Sequence, residues 1–260
     1  MPWQRSHFSV GAAVNDRAML ARCLARSPDI ASGDLSLATY EDYDSAAKAL
    51  NAALDGSPTP IVILAHQDIY LPEGFLDRLI AHINQLESEG RSWGVLGPFG
   101  LMADRTVAGR VYSMAIGREL GERSPVPQPV VCLDEIVLVL NREGPLRFDE
   151  ATPGFHLYGV DIVLQARDQG LGAYAIDAPV VHVDAPVSVK ALRGAYRRAY
   201  DYMRRKWAAE LPVPTLIADL SRSPLPYLRT LWRRFKTTVR TGVKRPRLDP
   251  VEIARSMGYE

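Results

Sequence analysis

The stretch Ile61-Val62-Ile63-Leu64-Ala65-His66-Gln67-Asp68 decides how the chain is read. Its five apolar residues, three of them β-branched, have the composition of a short strand buried on both faces. The run stops at three polar side chains. In an open parallel sheet, ligands bind just beyond the carboxyl ends of the strands, in the crevice left by loops and helices. His66, Gln67 and Asp68 occupy that position if the strand is parallel. The plainer alternative is that they cap the strand and meet water.

Toward the amino end, Phe8 to Val14 reads as a first strand. Asn15 or Asp16 then caps a helix carrying Met19, Leu20, Cys23 and Leu24 at helical spacing. Leu35 to Tyr40 reads as a second strand running into Glu41-Asp42. Asp44 or Ser45 caps the next helix (Ala46, Ala47, Leu50, Leu54), which Gly56 stops. Beyond the third strand, Leu71-Pro72 leads into an amphipathic helix (Phe75, Leu76, Leu79, Ile80, Ile83, Leu86) closed by Gly90. This βαβαβα order predicts a parallel sheet with right-handed crossovers. Each of the three strands then ends in polar residues on one edge: Asn15-Asp16, Glu41-Asp42 and His66-Gln67-Asp68. Clustered carboxylates repel one another, and a hard divalent cation is the usual reason for gathering them. Asp16 and Glu41 could equally serve as helix-cap and turn residues.

From Trp93 to Gln128 the pattern weakens, with a strand over Trp93 to Gly97 and a loop over Gly117 to Gln128. Order returns at Val130 to Glu135 and the strand Ile136 to Leu140. Phe148-Asp149-Glu150 follows, then a loop, then a helix from about Val160 to Gln169 with Gly170 as its stop. Ala173 to Ile176 and Val180 to Val183 read as short strands, the second carrying His182.

At 260 residues, with 47% apolar and 23% charged side chains, the chain has the composition of a soluble globular protein. No window approaches the roughly 18–20 apolar residues of a membrane span. The first ten residues lack the apolar core of a signal peptide, and Cys23 and Cys132 sit in neither a disulfide framework nor a metal spacing. A cytoplasmic location is the expectation. No Gly-x-Gly-x-x-Gly follows the first strand and no phosphate loop ending in Gly-Lys-Ser/Thr occurs, which argues against the dinucleotide and P-loop classes.

Taken together, Ala13-Val14-Asn15, Ala49-Leu50-Asn51-Ala52, Leu64 to Pro72, Gly94-Val95-Leu96-Gly97, Phe148-Asp149-Glu150, Phe155-His156-Leu157-Tyr158 and Ala178-Pro179-Val180-Val181-His182 resemble, in order, glycosyltransferase family 2 and its near relatives. The likeness is to the branch whose metal motif reads His-Gln-Asp rather than Asp-x-Asp, and it covers roughly residues 8–185. It implies a GT-A fold: an open, mostly parallel nucleotide-binding sheet with flanking helices. It also implies inverting transfer of a sugar from a nucleotide diphosphate donor to an acceptor hydroxyl on a glycan, lipid-linked or protein substrate. A divalent metal, Mn²⁺ or Mg²⁺, would offset the charge of the leaving diphosphate. On this likeness Asp68 matches the metal carboxylate and His182 a histidine that approaches the metal or the diphosphate. Glu41 or Asp42 matches the acid that reads the donor's base, and Asn15, His66 and Gln67 fall on the donor side.

There is one departure. The family carries an aspartate before its late helix as general base, and the register puts Gly159 there. Asp161, two residues on, is the provisional base, with His156 and Asp134 as other nearby proton acceptors. The competing expectation is that Asp161, Gln165 and Asp168 form the polar face of the helix, where an acid in the first turn favours the dipole. A positioned base is worth roughly 10²–10⁴-fold in rate. Its loss would leave a slow transferase, or a sugar-nucleotide or glycan-binding relative acting as sensor or assembly partner. A nucleotidyltransferase fits less well, since the Gly-rich loop of such enzymes is missing.

Charge divides the chain in two. Residues 1–189 hold 14 Lys/Arg against 24 Asp/Glu, and residues 190–260 hold 17 against 6. The organisation expected is a transferase-like domain over 1–189 and a basic helical extension over 190–260. Val187 to Glu210 reads as a helix rich in Arg and Tyr. Over Leu225 to Arg240, Leu225, Leu228, Leu231, Trp232, Phe235 and Val239 share a face beside Arg229, Arg233, Lys236 and Arg240. That is the pattern of a peripheral contact with an anionic membrane, or of an apolar stripe docked on the protein's own body. Nucleic acid is the weaker partner, because no recognition motif accompanies the charge.

Overall fold

The structure, a computed structural model, describes residues 2–183, 190, 193–240 and 249–260, with the backbone alone over 234–240. In chain order the strands are β1 (Phe8–Ala13), β2 (Ser36–Tyr40), β3 (Ile61–Ala65), β4 (Ile69–Tyr70), β5 (Trp93–Gly97), β6 (Phe99–Leu101), β7 (Val107–Ser113), β8 (Arg118–Glu122), β9 (Gln128–Pro129), β10 (Cys132–Leu133), β11 (Val137–Asn141), β12 (Gly172–Ala175) and β13 (Val180–His182). The helices are α1 (Arg17–Arg22), α2 (Pro28–Ala31), α3 (Ala46–Gly56), α4 (Phe75–Ser88), α5 (Tyr158–Asp168), α6 (Ala195–Lys206), α7 (Leu225–Arg240) and α8 (Pro250–Ser256).

The main sheet runs β2-β1-β3-β11-β5-β12-β9. β1 pairs in parallel with β2 on one side and β3 on the other, so the chain reverses its direction of growth at β1. Such a switch point opens a crevice at the carboxyl ends. β11 runs antiparallel to both β3 and β5, an inversion that the βαβ pattern did not foretell. The sheet is thus the expected open, mostly parallel one, with antiparallel β11 and β9.

β3 shows why five apolar residues stand in a row. Ile61, Ile63 and Ala65 enter a core with Phe8, Val10, Phe75 and Leu79, whereas Val62 and Leu64 enter a second core with Leu50, Leu54, Leu138 and Ile162. Alternate side chains leave opposite faces, so both faces must be apolar. Full burial of each large aliphatic side chain contributes about 1.5–3 kcal/mol. α4 covers one face, and α3 and α5 cover the other. Asp16 caps α1 by accepting from Met19 N–H, and Ser45 caps α3 by accepting from Lys48 N–H.

A second sheet, β10-β6-β7-β13-β4 with β8 on β7, crosses the carboxyl edge. Residues 117–128, expected as a loop, instead include strand β8, paired along Gly109–Ser113. Gly121 (φ 86°) makes this pairing possible, since a Cβ there would lie 2.0 Å from Gly109 O.

The basic extension shares the core. On α6, Tyr196, Ala199, Tyr200 and Met203, with Trp207 just beyond, pack on Leu157, Val160 and Leu164. In α8 and the residues after it, Ile253, Ala254 and Tyr259 pack on Tyr70 and Val181, bracing β13. The 189/190 boundary and the start of the helix expected from Val187 fall on or beside residues 184–189 and 191–192, outside the described residues. Among the described residues, no helix is long and apolar enough to cross a membrane.

Candidate metal and donor site

At the carboxyl end of β3 the backbone places Asp68 directly before β4, whose Ile69 pairs with His182 of β13. Val183 N–H donates to Asp68 O at 3.0 Å, which locks the two segments side by side. His182 Nε2 therefore lies 3.3 Å from Asp68 Oδ2, and His66 Nδ1 lies 3.8 Å from Asp68 Oδ1. One ligand atom from each of His66, Asp68 and His182 falls within 4.8 Å of the others. Asp68 is buried, while both imidazoles remain partly open to the crevice. Burial alone would raise the Asp68 carboxyl. The His182 hydrogen bond and the two imidazoles outweigh that and hold it below the usual carboxylate range. A carboxylate kept ionised between two imidazoles is a donor set that fits a first-row divalent cation such as Mn²⁺ better than Mg²⁺, which favours oxygen alone.

His66 is fixed from behind. Its N–H donates to Ile136 O at 2.9 Å, and its Nε2 lies 2.7 Å from the Tyr158 hydroxyl. Tyr158, fully within the core, also donates to Glu135 O at 3.2 Å. Tyr158 was legible only as part of a quoted motif. Its role in orienting His66 depends on a contact 92 residues apart in sequence.

The polar edge of the sheet is tied together by Gln67. Its Oε1 accepts from the N–H groups of Asn15 and Asp16 at 3.0 and 2.9 Å, and its Nε2 donates to Asn15 Oδ1 at 2.6 Å. Gln67 thus bridges the ends of β1 and β3 across the switch point. Glu41 stands next along the edge, because Val14 N–H donates to Tyr40 O at 2.9 Å, and it is paired with Arg17 at 3.0 Å. Asp42 is exposed, with φ at 63°. Three polar strand ends do gather on one edge, but the carboxylates of Asp16 and Glu41 are taken up by a cap and an ion pair. The metal-type cluster draws its third member from β13 instead.

Asp161 stands elsewhere. It is 1% exposed. Trp207 Nε1 donates to Oδ1 at 2.7 Å, Gln165 Nε2 donates to Oδ2 at 2.8 Å, and Lys206 Nζ lies 2.8 Å from Oδ1 and 2.9 Å from Oδ2. Lys206 also reaches Asp149 at 2.7 Å. A carboxylate sealed behind α6 with its lone pairs occupied is not placed to receive a proton from an acceptor. The polar face predicted for this helix is likewise turned against α6 at Asp161, and not toward water. Sequence periodicity could not show this, because the covering residues Lys206 and Trp207 lie 45 and 46 positions away.

His156 is half-buried against Tyr196, with ring centroids 5.5 Å apart. Burial lowers its pKa, and His66 adds to the effect. It lines a cavity of about 80 Å³ together with Asp134, Glu135, Leu157, Tyr196 and Thr215. Glu135 was not singled out in sequence. The sign available there was an apolar run, Val130 to Leu133, that stops at two acids, as Ile61 to Ala65 stops at His66.

No family model matches the chain. A curated protein of Fuscovulum blasticum, described as ATP synthase subunits region ORF 6, is 34% identical over 125 residues, 46% of this chain. The chain spans about half (50%) of the length of that relative. Among solved structures it is similar to the mannosyltransferase PcManGT of Pyrobaculum calidifontis in complex with GDP-Man and Mn²⁺, at 14% identity and a TM-score of 0.48, over 97% of this chain and 79% of that one. It is similar also to glucosyl-3-phosphoglycerate synthase of Mycobacterium tuberculosis with Mn²⁺, UDP-glucose and phosphoglyceric acid, at 14% identity and a TM-score of 0.49, over 81% and 82% of the two chains. A third is S. aureus TarS, at 13% identity and a TM-score of 0.47, over 90% of this chain and 73% of that one.

Proposed function

We propose that the chain is a metal-dependent glycosyltransferase that moves a sugar from a nucleotide diphosphate donor to an acceptor hydroxyl. The observation that carries this reading is the convergence of His66, Asp68 and His182 at the switch-point edge, beside the Asn15–Gln67 bridge. His66, Asp68 and His182 would hold the cation. A divalent ion there would offset the charge developing on the leaving diphosphate. Asn15 and Gln67 present amide groups to the donor, and Glu41 or Asp42 accepts hydrogen bonds from its base. Tyr158 keeps the His66 ring in place, so that a cation would meet a preset ligand and not a free rotor. The acceptor approaches from the opposite side of the sugar, and displacement in line inverts the anomeric centre.

Calorimetry with UDP, GDP and dTDP, each with and without Mn²⁺, tests the reading. Nucleotide binding that requires Mn²⁺ and is lost in Asp68→Asn is expected. Absence of metal-dependent binding of any of the three refutes it. The second reading, a binding protein without transfer, is favoured by Gly159 and by the sealed state of Asp161. It predicts nucleotide binding without release of sugar.

A cytoplasmic chain held at the inner face of a membrane completes the proposal. Tyr227 anchors α7 against Tyr200, ring centroids 4.8 Å apart, and Thr230 is buried beside it. Leu225, Leu228 and Trp232 stay exposed, Trp232 by 61%, along with Arg229 and Arg233. Apolar and cationic side chains on one exposed flank suit an anionic lipid surface. Phe235, Lys236, Val239 and Arg240, assigned to the same helix, have side chains outside the described residues.

A further inference from the structure

Position 159 is where the family resemblance calls for an acid, and glycine stands there. The space its side chain would take is filled. A Cβ on Gly159 would lie 2.8 Å from Glu135 Cγ and 2.7 Å from Leu133 O, closer than Cβ atoms approach. Glu135 enters this space from the chain between β10 and β11, and its Oε1 accepts from Gly159 N–H at 3.3 Å. Its carboxyl therefore sits at the amino end of α5, where the helix dipole favours negative charge. It also lines the cavity shared with Asp134, His156, Tyr196 and Thr215. One side chain separates it from the cation cluster, since the Tyr158 hydroxyl touches both Glu135 O and His66 Nε2. Leu157, between the cavity residue His156 and Tyr158, holds φ at 65°, a left-handed conformation costing about 1–2 kcal/mol in a residue other than glycine. Strain of this kind collects at functional sites.

We propose that Glu135 is the general base of the transfer, supplying from the turn between β10 and β11 the acid that position 159 lacks, and that the cavity beside it receives the acceptor hydroxyl. The inference rests on the glycosyltransferase reading. In the step it assigns, the acceptor O–H proton passes to a Glu135 carboxylate oxygen while the acceptor oxygen bonds to the anomeric carbon. The bond from that carbon to the diphosphate oxygen breaks, and its electron pair leaves with the diphosphate. Glu135 then returns the proton to solvent. The extension takes part, because Tyr196 and Thr215 line the same cavity as Glu135.

Electrostatics agree with the assignment. Burial pushes the Glu135 carboxyl up to about 8 and Asp134 adds to it, while the N–H groups of Gly159, Leu157 and Tyr158 pull the other way. Cys132, Tyr158 and Tyr196 also face it, each raised by burial and uncharged at neutral pH, and His156, which lines the same cavity, is lowered. A base poised near the working pH combines availability with driving force.

The test compares the full chain with Glu135→Gln and Glu135→Asp. It uses UDP-glucose and GDP-mannose with Mn²⁺, water as acceptor, and released sugar as the readout. UDP and GDP binding by calorimetry runs in parallel. Glu135→Gln keeps the shape and the hydrogen bond from Gly159, so folding and nucleotide binding should match wild type while sugar release falls about 10²–10⁴-fold. The wild-type rate should rise with pH through an inflection near about 8. That inflection should vanish in Glu135→Gln and return, at a lower rate, in Glu135→Asp. A Glu135→Gln chain that releases sugar at the wild-type rate with the wild-type pH profile overturns the base and leaves the transferase reading standing. A wild-type chain that binds nucleotide but releases no sugar at any pH also overturns it. Failure of the wild type to bind nucleotide at all refutes the transferase reading itself.

Discussion

Replacing Asp161 by asparagine separates a clamp from a base. In the folded chain its carboxylate accepts from Trp207 Nε1 and Gln165 Nε2 and faces Lys206 Nζ at 2.8 Å, with 1% of the residue exposed. Asparagine retains the shape and one acceptor for Trp207. It loses the charge that faces Lys206, and its amide N–H₂ points at a cation. Fully orphaning a buried charge costs about 3–5 kcal/mol. Lys206 keeps Asp149 at 2.7 Å, so the cost here should resemble that of one charge-assisted hydrogen bond, about 1.5–3 kcal/mol. For a chain of this length that corresponds to a fall of roughly 3–12 °C in melting temperature. Below the transition, nucleotide binding and sugar release should be unchanged, because Asp161 touches neither the cation cluster nor the cavity. Thermal unfolding and the donor assay, run side by side, decide the matter. An unaltered melting temperature with a hundredfold loss of sugar release would refute the clamp and restore Asp161 as the base.

Two further outcomes follow from the same structure. Burial would raise Asp149, but hydrogen bonds from Lys206 and Tyr202 outweigh it and hold its carboxyl below the usual range. A depressed folded value means that the stabilisation is complete above the ordinary aspartate value of about 3.9 and fades as pH falls through the folded one. Acid titration of unfolding should show this loss in wild type and a shallower one in Lys206→Met; equal slopes would contradict it. At the membrane, the intact chain should co-sediment with anionic vesicles at low salt and release as salt rises, each engaged Arg contributing about 1 kcal/mol. Leu228→Ala with Trp232→Ala should weaken this without unfolding the chain, and an intact chain that ignores vesicles at low salt ends the membrane proposal. Point variants serve here because cutting away 221–260 would strip Tyr227, Ile253 and Tyr259 from the core.

What the sequence determined by itself is whatever depends on near neighbours along the chain. The apolar run Ile61 to Ala65, the 3.6-residue stripes of α3 and α4, the caps at Asn15 or Asp16 and at Asp44 or Ser45, and the polar edge beyond three parallel strands are all local patterns. Local periodicity sets them. The antiparallel β11 between β3 and β5 was not legible, because an apolar run buried on both faces carries no sign of its direction. The site divides in the same way. His66, Gln67 and Asp68 could be read because three polar residues closed a strand. The resemblance pointed to Asp68 and His182 at the metal, and tertiary structure alone decided that His66 would join His182 there, that Tyr158 would hold His66, and that Asp161 would face Lys206 and not solvent. It also decided that Glu135 would occupy the space beside Gly159. Each of these pairs is separated by 24 to 116 residues, a span over which only packing brings groups together. A basic tail and an acidic body suggested two parts in the sequence, yet charge says nothing about which apolar faces meet. Tyr200, Trp207 and Tyr259 joined the core because each buries its large apolar surface there while its one polar atom can still reach a partner.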